Sequence, residues 1–146
     1  MFALNHFLEK LDKIYAENPK ELEGFLKSGL SEASAWGDLS SVLVILNELI
    51  GYYRVMNNPE ECGECIRKAR QTADSMGIQG TVNYATMLLN IGTAQRVMGM
   101  MQEAEEQYEQ VFEIYSREFT GPDYRMATLY NNRSILYAQT GRLSEA

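Results

Sequence analysis

The chain holds one histidine, one tryptophan, three prolines and two cysteines among its 146 residues, and each scarcity removes a class of function. A single histidine, His6, leaves no partner base for a serine or cysteine nucleophile with an orienting acid, so nothing marks an acyl-transfer site. His6 itself, beside Phe7 and Leu8, reads as a helix-surface or interface residue. The two cysteines, Cys62 and Cys65, give no disulfide framework of the secreted kind. Their spacing, Cys62-Gly63-Glu64-Cys65, is that of a redox or metal pair. No strand signal precedes it, however, and no second ligand pair accompanies it, so both are read as ordinary thiols. Neither a metal nor a cofactor is expected, and glycine-rich phosphate loops are missing. Catalysis is therefore not expected.

Long apolar runs are also lacking. The longest, Val42 to Leu46, is interrupted by Asn47 and Glu48, far short of the roughly 18 residues that a membrane span requires. The start, MFALNHFLEKLDK, has no basic segment and meets Glu9 and Lys10 early, unlike a secretory signal peptide. A cytoplasmic protein without membrane contact is expected. Basic residues are outnumbered, 13 Lys plus Arg against 20 Asp plus Glu, and the resulting charge of −7 repels phosphate backbones, which argues against nucleic acid as a partner. Apolar residues at 45% and charged residues at 23% are ordinary globular usage, and the length suits one domain with a real core.

What the sequence does contain is itself, repeated. A shift of 42 superposes Ala85-Thr86 on Ala127-Thr128, Asn90 on Asn132, Gly99 on Gly141 and Glu103-Ala104 on Glu145-Ala146. One step back, Arg54-Val55-Met56 falls under Arg96-Val97-Met98 and Glu61-Cys62 under Glu103-Ala104. A looser echo, Asn18-Pro19 with Asn58-Pro59, marks a degenerate first copy. The frame divides a single domain into a degenerate repeat 1–37, repeats 38–79 and 80–121, and a truncated repeat 122–146.

Each copy holds two helical patterns. Met101, Ala104, Tyr108, Val111, Phe112 and Tyr115 line one stripe of an outer helix. From Tyr84 to Met98 the apolar residues go most of the way round, as expected where a helix is enclosed by neighbours. Asn58-Pro59-Glu60-Glu61 offers a cap, a proline that needs no donor and acids at the positive helix end. Gly99 and Gly141 suit left-handed helix stops, and Gly121-Pro122-Asp123 marks another boundary. Helices are predicted at 3–16, 19–35, 40–56, 59–76, 81–98, 101–119 and 123–140, with an eighth from Leu143 and no strand.

Paired helices with small residues at their contact resemble the tetratricopeptide repeat. The third copy carries Leu88, Ile91, Gly92 and Gln95, then Ala104 and Tyr108; the fourth carries Tyr130, Arg133, Ser134 and Tyr137 and ends on Ala146. Gly92, Ser134, Ala104 and Cys62 are the small residues that close helix approach needs. The 42-residue unit and the segment GPDYRMATLYNN are similar to the repeats of kinesin light chains, over residues 40 to 146. Two departures stand out: Arg133 replaces an aliphatic residue, and Ile50 takes a small residue's place with Gly51 one step late, which shifts the packing there.

The resemblance implies an all-α, right-handed superhelical solenoid of antiparallel helix pairs, about seven helices, whose enclosed helices line a concave peptide-binding groove. Groove-facing positions carried over from it are Asn47, Gly51 and Arg54; Leu89, Thr93 and Arg96; and Asn131, Ile135 and Ala138. Each triplet is spaced i, i+4, i+7 and so shares a helix face. Arg54 and Arg96, on neighbouring enclosed helices expected to pack about 8–10 Å apart, suit the carboxylates of an acidic peptide or protein segment. Asn47 and Asn131 suit its backbone amides. The plainer reading pairs these arginines with the chain's own glutamates and uses the asparagines to link helices. Besides peptide binding, two alternatives are a homo-oligomeric scaffold joined through an exposed terminal repeat, and the sensor part of a regulator that responds to a signalling peptide.

Overall fold

The computed structural model describes residues 1–142. They contain seven α-helices and no strand, and they divide into two compact units, 1–76 and 77 onward. The eighth predicted helix, from Leu143, lies outside the described residues.

The first unit begins with α1 (Leu4–Glu17), a single 3-10 turn (Pro19–Glu21) and α2 (Leu22–Ala35). The predicted helix at 19–35 thus starts with a tighter turn, in which the Glu21 N–H donates to the Asn18 carbonyl at 3.0 Å and proline supplies the position that has no N–H to give. α1 buries Phe7 and Leu11, and Phe7 stacks on Phe25 of α2 with centroids 4.5 Å apart. Gly29 makes room for that ring, because a Cβ there would stand 2.2 Å from Phe7 Cε2. α3 (Leu39–Val55) packs against α2 and α4 (Pro59–Met76), which accounts for its burial on most sides, from Val42 to Tyr53. Asp38 caps α3 by accepting from the Ser41 N–H at 3.2 Å, and Asn58 caps α4 through the Glu61 N–H at 3.3 Å.

The second unit holds α5 (Val82–Val97), α6 (Met101–Glu118) and α7 (Tyr124–Gln139). α5 is the enclosed helix that the sequence predicts: every residue from Met87 to Gln95 except Asn90 is buried. α6 lies along it, burying Ala104, Gln107, Tyr108, Val111, Ile114 and Tyr115 in one stripe. Phe112, predicted in that stripe, is instead 36% exposed, while Gln107 and Ile114 turn inward. The reason is geometric: Phe112 sits at the edge facing α7, its ring centroid 6.5 Å from that of Tyr130.

Gly92 is where α5 and α6 come closest. A Cβ would meet Tyr108 Cε1 at 2.9 Å and Gln107 Cβ at 3.1 Å. The equivalent residue in the first unit, Ile50, is fully buried, and the Cys62 thiol donates to its carbonyl at 3.6 Å. Gly51 has open space at its Cβ direction, so the glycine one step late takes no part in helix contact. The stops after α5 and α7 use Gly99 and Gly141 at φ of 84° and 79°, and after α3 the same repeat position is Asn57 at φ 54°.

Candidate functional site

The predicted groove residues fall on α3, α5 and α7, and the structure treats them unequally. Arg96 stands in the last turn of α5, at the negative end of the helix dipole, and donates from Nη1 to Gln139 Oε1 of α7 at 3.2 Å. Its Nε–H is sheltered from solvent and has no acceptor. Arg54 occupies the same place on α3, and its Nε–H is likewise sheltered without an acceptor. The ion pairs among the described residues are Lys27–Glu23, Arg67–Glu64, Arg117–Glu118, Arg125–Asp123 and Arg142–Glu105. Neither repeat-equivalent arginine belongs to them.

Thr93 and Leu89 face inward. Thr93 is 7% exposed, and its hydroxyl lies within 2.9 Å of the Leu89 carbonyl, 3.1 Å of the Tyr108 hydroxyl and 3.3 Å of Asn132 Oδ1. It thereby ties α5 to both α6 and α7. Leu89, 8% exposed, belongs to the core of the unit. Gly51, the repeat equivalent of Thr93, is half-buried, as are Asn47 and Arg54. On α7, Asn131, Ile135 and Ala138 are all exposed, Ile135 at 37%.

Sequence reasoning missed two groups. Asn132, beside the candidate Asn131, is the asparagine that links helices: its Nδ2 donates to the Thr128 carbonyl at 2.9 Å while its Oδ1 accepts from Thr93. Its exact alignment with Asn90 in the self-comparison was the available signal. The second group is acidic. Glu48, next to Asn47, is pushed above the usual carboxylate range by burial and by Asp12, while a hydrogen bond from Tyr15 opposes the shift. Nothing local in the sequence brings α1 and α3 residues together, so this cluster was invisible there.

The cysteines lie in the core of the first unit. Cys62 is fully buried and Cys65 7% exposed, both as free thiols. Burial raises both, with the neighbouring Cys62 adding to the rise of Cys65 to about 11, whereas Arg54 draws Cys62 back. Thiols held this high stay protonated near neutrality and are poor nucleophiles. Among the described residues, no three His, Cys, Asp or Glu side chains gather in a metal-binding cluster. Two concavities lie elsewhere: one of about 380 Å³ near Leu30, Leu49, Tyr53 and Cys65, and one of about 450 Å³ beside the Phe119–Asp123 loop. Neither is lined by a predicted groove residue.

Paired helices repeating at a fixed interval, with a glycine at their contact, are joined by a direct comparison: residues 83–146 match the family model of the tetratricopeptide repeat. That segment is similar to the tetratricopeptide repeat. No individual curated protein matches it at a significant level. The matched tetratricopeptide segment starts at the second residue of α5 and takes in α6 and α7, so it contains the Arg96, Thr93 and Asn132 network just described. Tetratricopeptide repeats are generally modules of protein–protein interaction. Among the described residues, no helix is long and apolar enough to cross a membrane.

Proposed function

We propose that this chain, through repeats of the tetratricopeptide kind, binds a peptide or protein segment carrying acidic groups. Arg96 with Asn131, Ile135 and Ala138 would receive such a segment on the second unit, and Asn47, Gly51 and Arg54 would form a site of the same kind on the first. One observation carries the reading: two repeat-equivalent arginines keep a sheltered Nε–H without an acceptor. A buried donor left unpaired costs about 1–3 kcal/mol, and a carboxylate that reached it would recover that loss through a charge-assisted bond. The exposed Ile135 beside Ala138 supplies apolar surface for a side chain of the segment.

Thr93 has a positioning role in this reading. Its bonds to Tyr108 and Asn132 hold α5 and α7 in the register in which Arg96 meets Gln139. The 42-residue repeat length supports a reading as the long-helix subclass typified by kinesin light chains, and two unpaired thiols agree with a reducing cytoplasmic setting.

A peptide library displayed on phage and selected on the intact chain tests this. Selected peptides should be rich in Asp and Glu, and Arg54→Ala combined with Arg96→Ala should weaken them by about tenfold or more with an unchanged melting temperature. Neutral or basic selected peptides, or equal affinity for the double variant, would remove the arginines from the site.

A further inference from the structure

The cavity of about 380 Å³ in the first unit has α2 and α4 as its walls and α3 as its floor. Packed neighbours joined by short loops run antiparallel, so α2 and α4 both oppose α3 and share one direction. Their lining residues then fall into matching steps. On α2 these are Lys27, Leu30 with Ser31, and Ser34; on α4 they are Glu61, Glu64 with Cys65, and Lys68. Both series span seven residues on one helix face, which makes the cavity about 10 Å long.

Its two ends differ in charge. At the first, the Tyr53 hydroxyl donates to Glu23 Oε2 at 2.8 Å, and Lys27 stands 3.8 Å from the same oxygen. Burial, and then the neighbouring Glu23 and Glu61, push the Tyr53 phenol up, which sets both acids at this end. At the second, Lys68 forms no ion pair among the described residues. Glu64, one turn before it, is engaged instead by Arg67, whose Nε donates to Glu64 Oε2 at 3.1 Å. Between the ends the floor is apolar: Leu49, Tyr53 and Cys65 are buried and Leu30 is half-buried. Cys65, protonated as described above, serves there as a small polarizable hydrophobe.

We propose that this cavity binds a small apolar carboxylic acid, with its carboxylate at Lys68 and Ser34 and its body over Leu30, Leu49 and Cys65. A volume of this size falls within the range of small-molecule sites, whereas a length of about 10 Å would admit only about three residues of extended chain. Lys68 supplies the charge complement, and the Ser34 hydroxyl beside it can donate to the second carboxylate oxygen. Glu61 repels an anion from the opposite end, so the ligand has one orientation. No residue here belongs to the peptide site proposed above, and the two readings stand or fall separately.

The probe is phenylbutyrate, titrated through the millimolar range into the intact chain and followed by backbone amide NMR. Saturable shifts at Ser31, Ser34, Cys65 and Lys68 are expected, with a Kd on the order of 1 mM for a ligand of this size. Lys68→Met should weaken binding about fivefold, whereas Lys20→Met, outside the cavity, should leave it unchanged. Ser31→Phe, which fills the cavity from its wall, should abolish the shifts. All three positions are exposed, so the variants should keep the native circular dichroism spectrum. The neutral phenylbutyramide should bind the native chain about fivefold more weakly than the acid, a comparison that needs no variant to fold. Absence of saturable shifts, shifts that persist in Ser31→Phe, or equal affinity for acid and amide would each overturn the proposal.

Discussion

Gly92 and Gly51 sit one residue short of a full repeat apart, both inside helices, and their surroundings give them opposite values. Alanine is favoured over glycine in a helix interior by about 1 kcal/mol. At Gly51 nothing opposes that gain, because no atom lies within 4 Å of the added Cβ. At Gly92 the new carbon would press on the ring of the fully buried Tyr108 at 2.9 Å, and overpacking of this kind costs about 1–3 kcal/mol. Urea denaturation should therefore show Gly51→Ala stabilised and Gly92→Ala destabilised; a shift of the same sign in both would contradict the packing described. The repeat pattern showed that a small residue was needed near each helix contact. Which glycine met the need depended on the rotation of α3 and α5 about their axes, and that is set by neighbours distant in sequence. Phe112 illustrates the same limit: its spacing placed it on the inner stripe of α6, and the approach of α7 decided that it lies at the edge.

Helices were the most legible elements, since their start and stop signals are local. Asn58, Gly99, Gly141 and the Gly121-Pro122-Asp123 turn all mark real ends. α7 offers a test at this scale. Asp123 accepts from the Arg125 N–H at 2.9 Å while the Arg125 side chain donates from Nε and Nη2 to its two carboxylate oxygens, also at 2.9 Å. These hydrogen bonds from Arg125 lower the Asp123 carboxyl to about 2. A carboxyl depressed in the folded state stabilises it above the ordinary aspartate range, near pH 4, and that contribution disappears as pH falls through about 2. Carbon-13 titration of the Asp123 carboxyl should find its midpoint near pH 2, with helical Cα shifts in the first turn of α7 declining over the same window. Arg125→Ala should bring the midpoint back toward that of a free aspartate; a midpoint already there in the native chain would show the Arg125 bonds to be absent in solution.

The whole molecule carries −7, and this charge acts against the acidic partners proposed for Arg54 and Arg96. Local hydrogen bonds work at contact, whereas the net field works during approach and is screened over about 10 Å at 0.1 M salt. Association of an acidic peptide with the native chain should accordingly become faster as salt rises from about 10 to 100 mM, in stopped-flow anisotropy. Slowing over that range would mean that a positive local field governs the encounter. All-helical character, the 42-residue interval, the helix ends and the distinction between enclosed and outer helices were determined by the sequence alone. Those properties depend on hydrogen bonds, caps and apolar spacing within about a turn or two of chain. Only tertiary structure decided which side chains remain available to a partner. Thr93, Asn132 and Leu89 are engaged within the second unit, while Arg54 and Arg96 retain a donor without an acceptor. Availability is a property of the neighbours that helix packing brings together, and those neighbours lie tens of residues away along the chain.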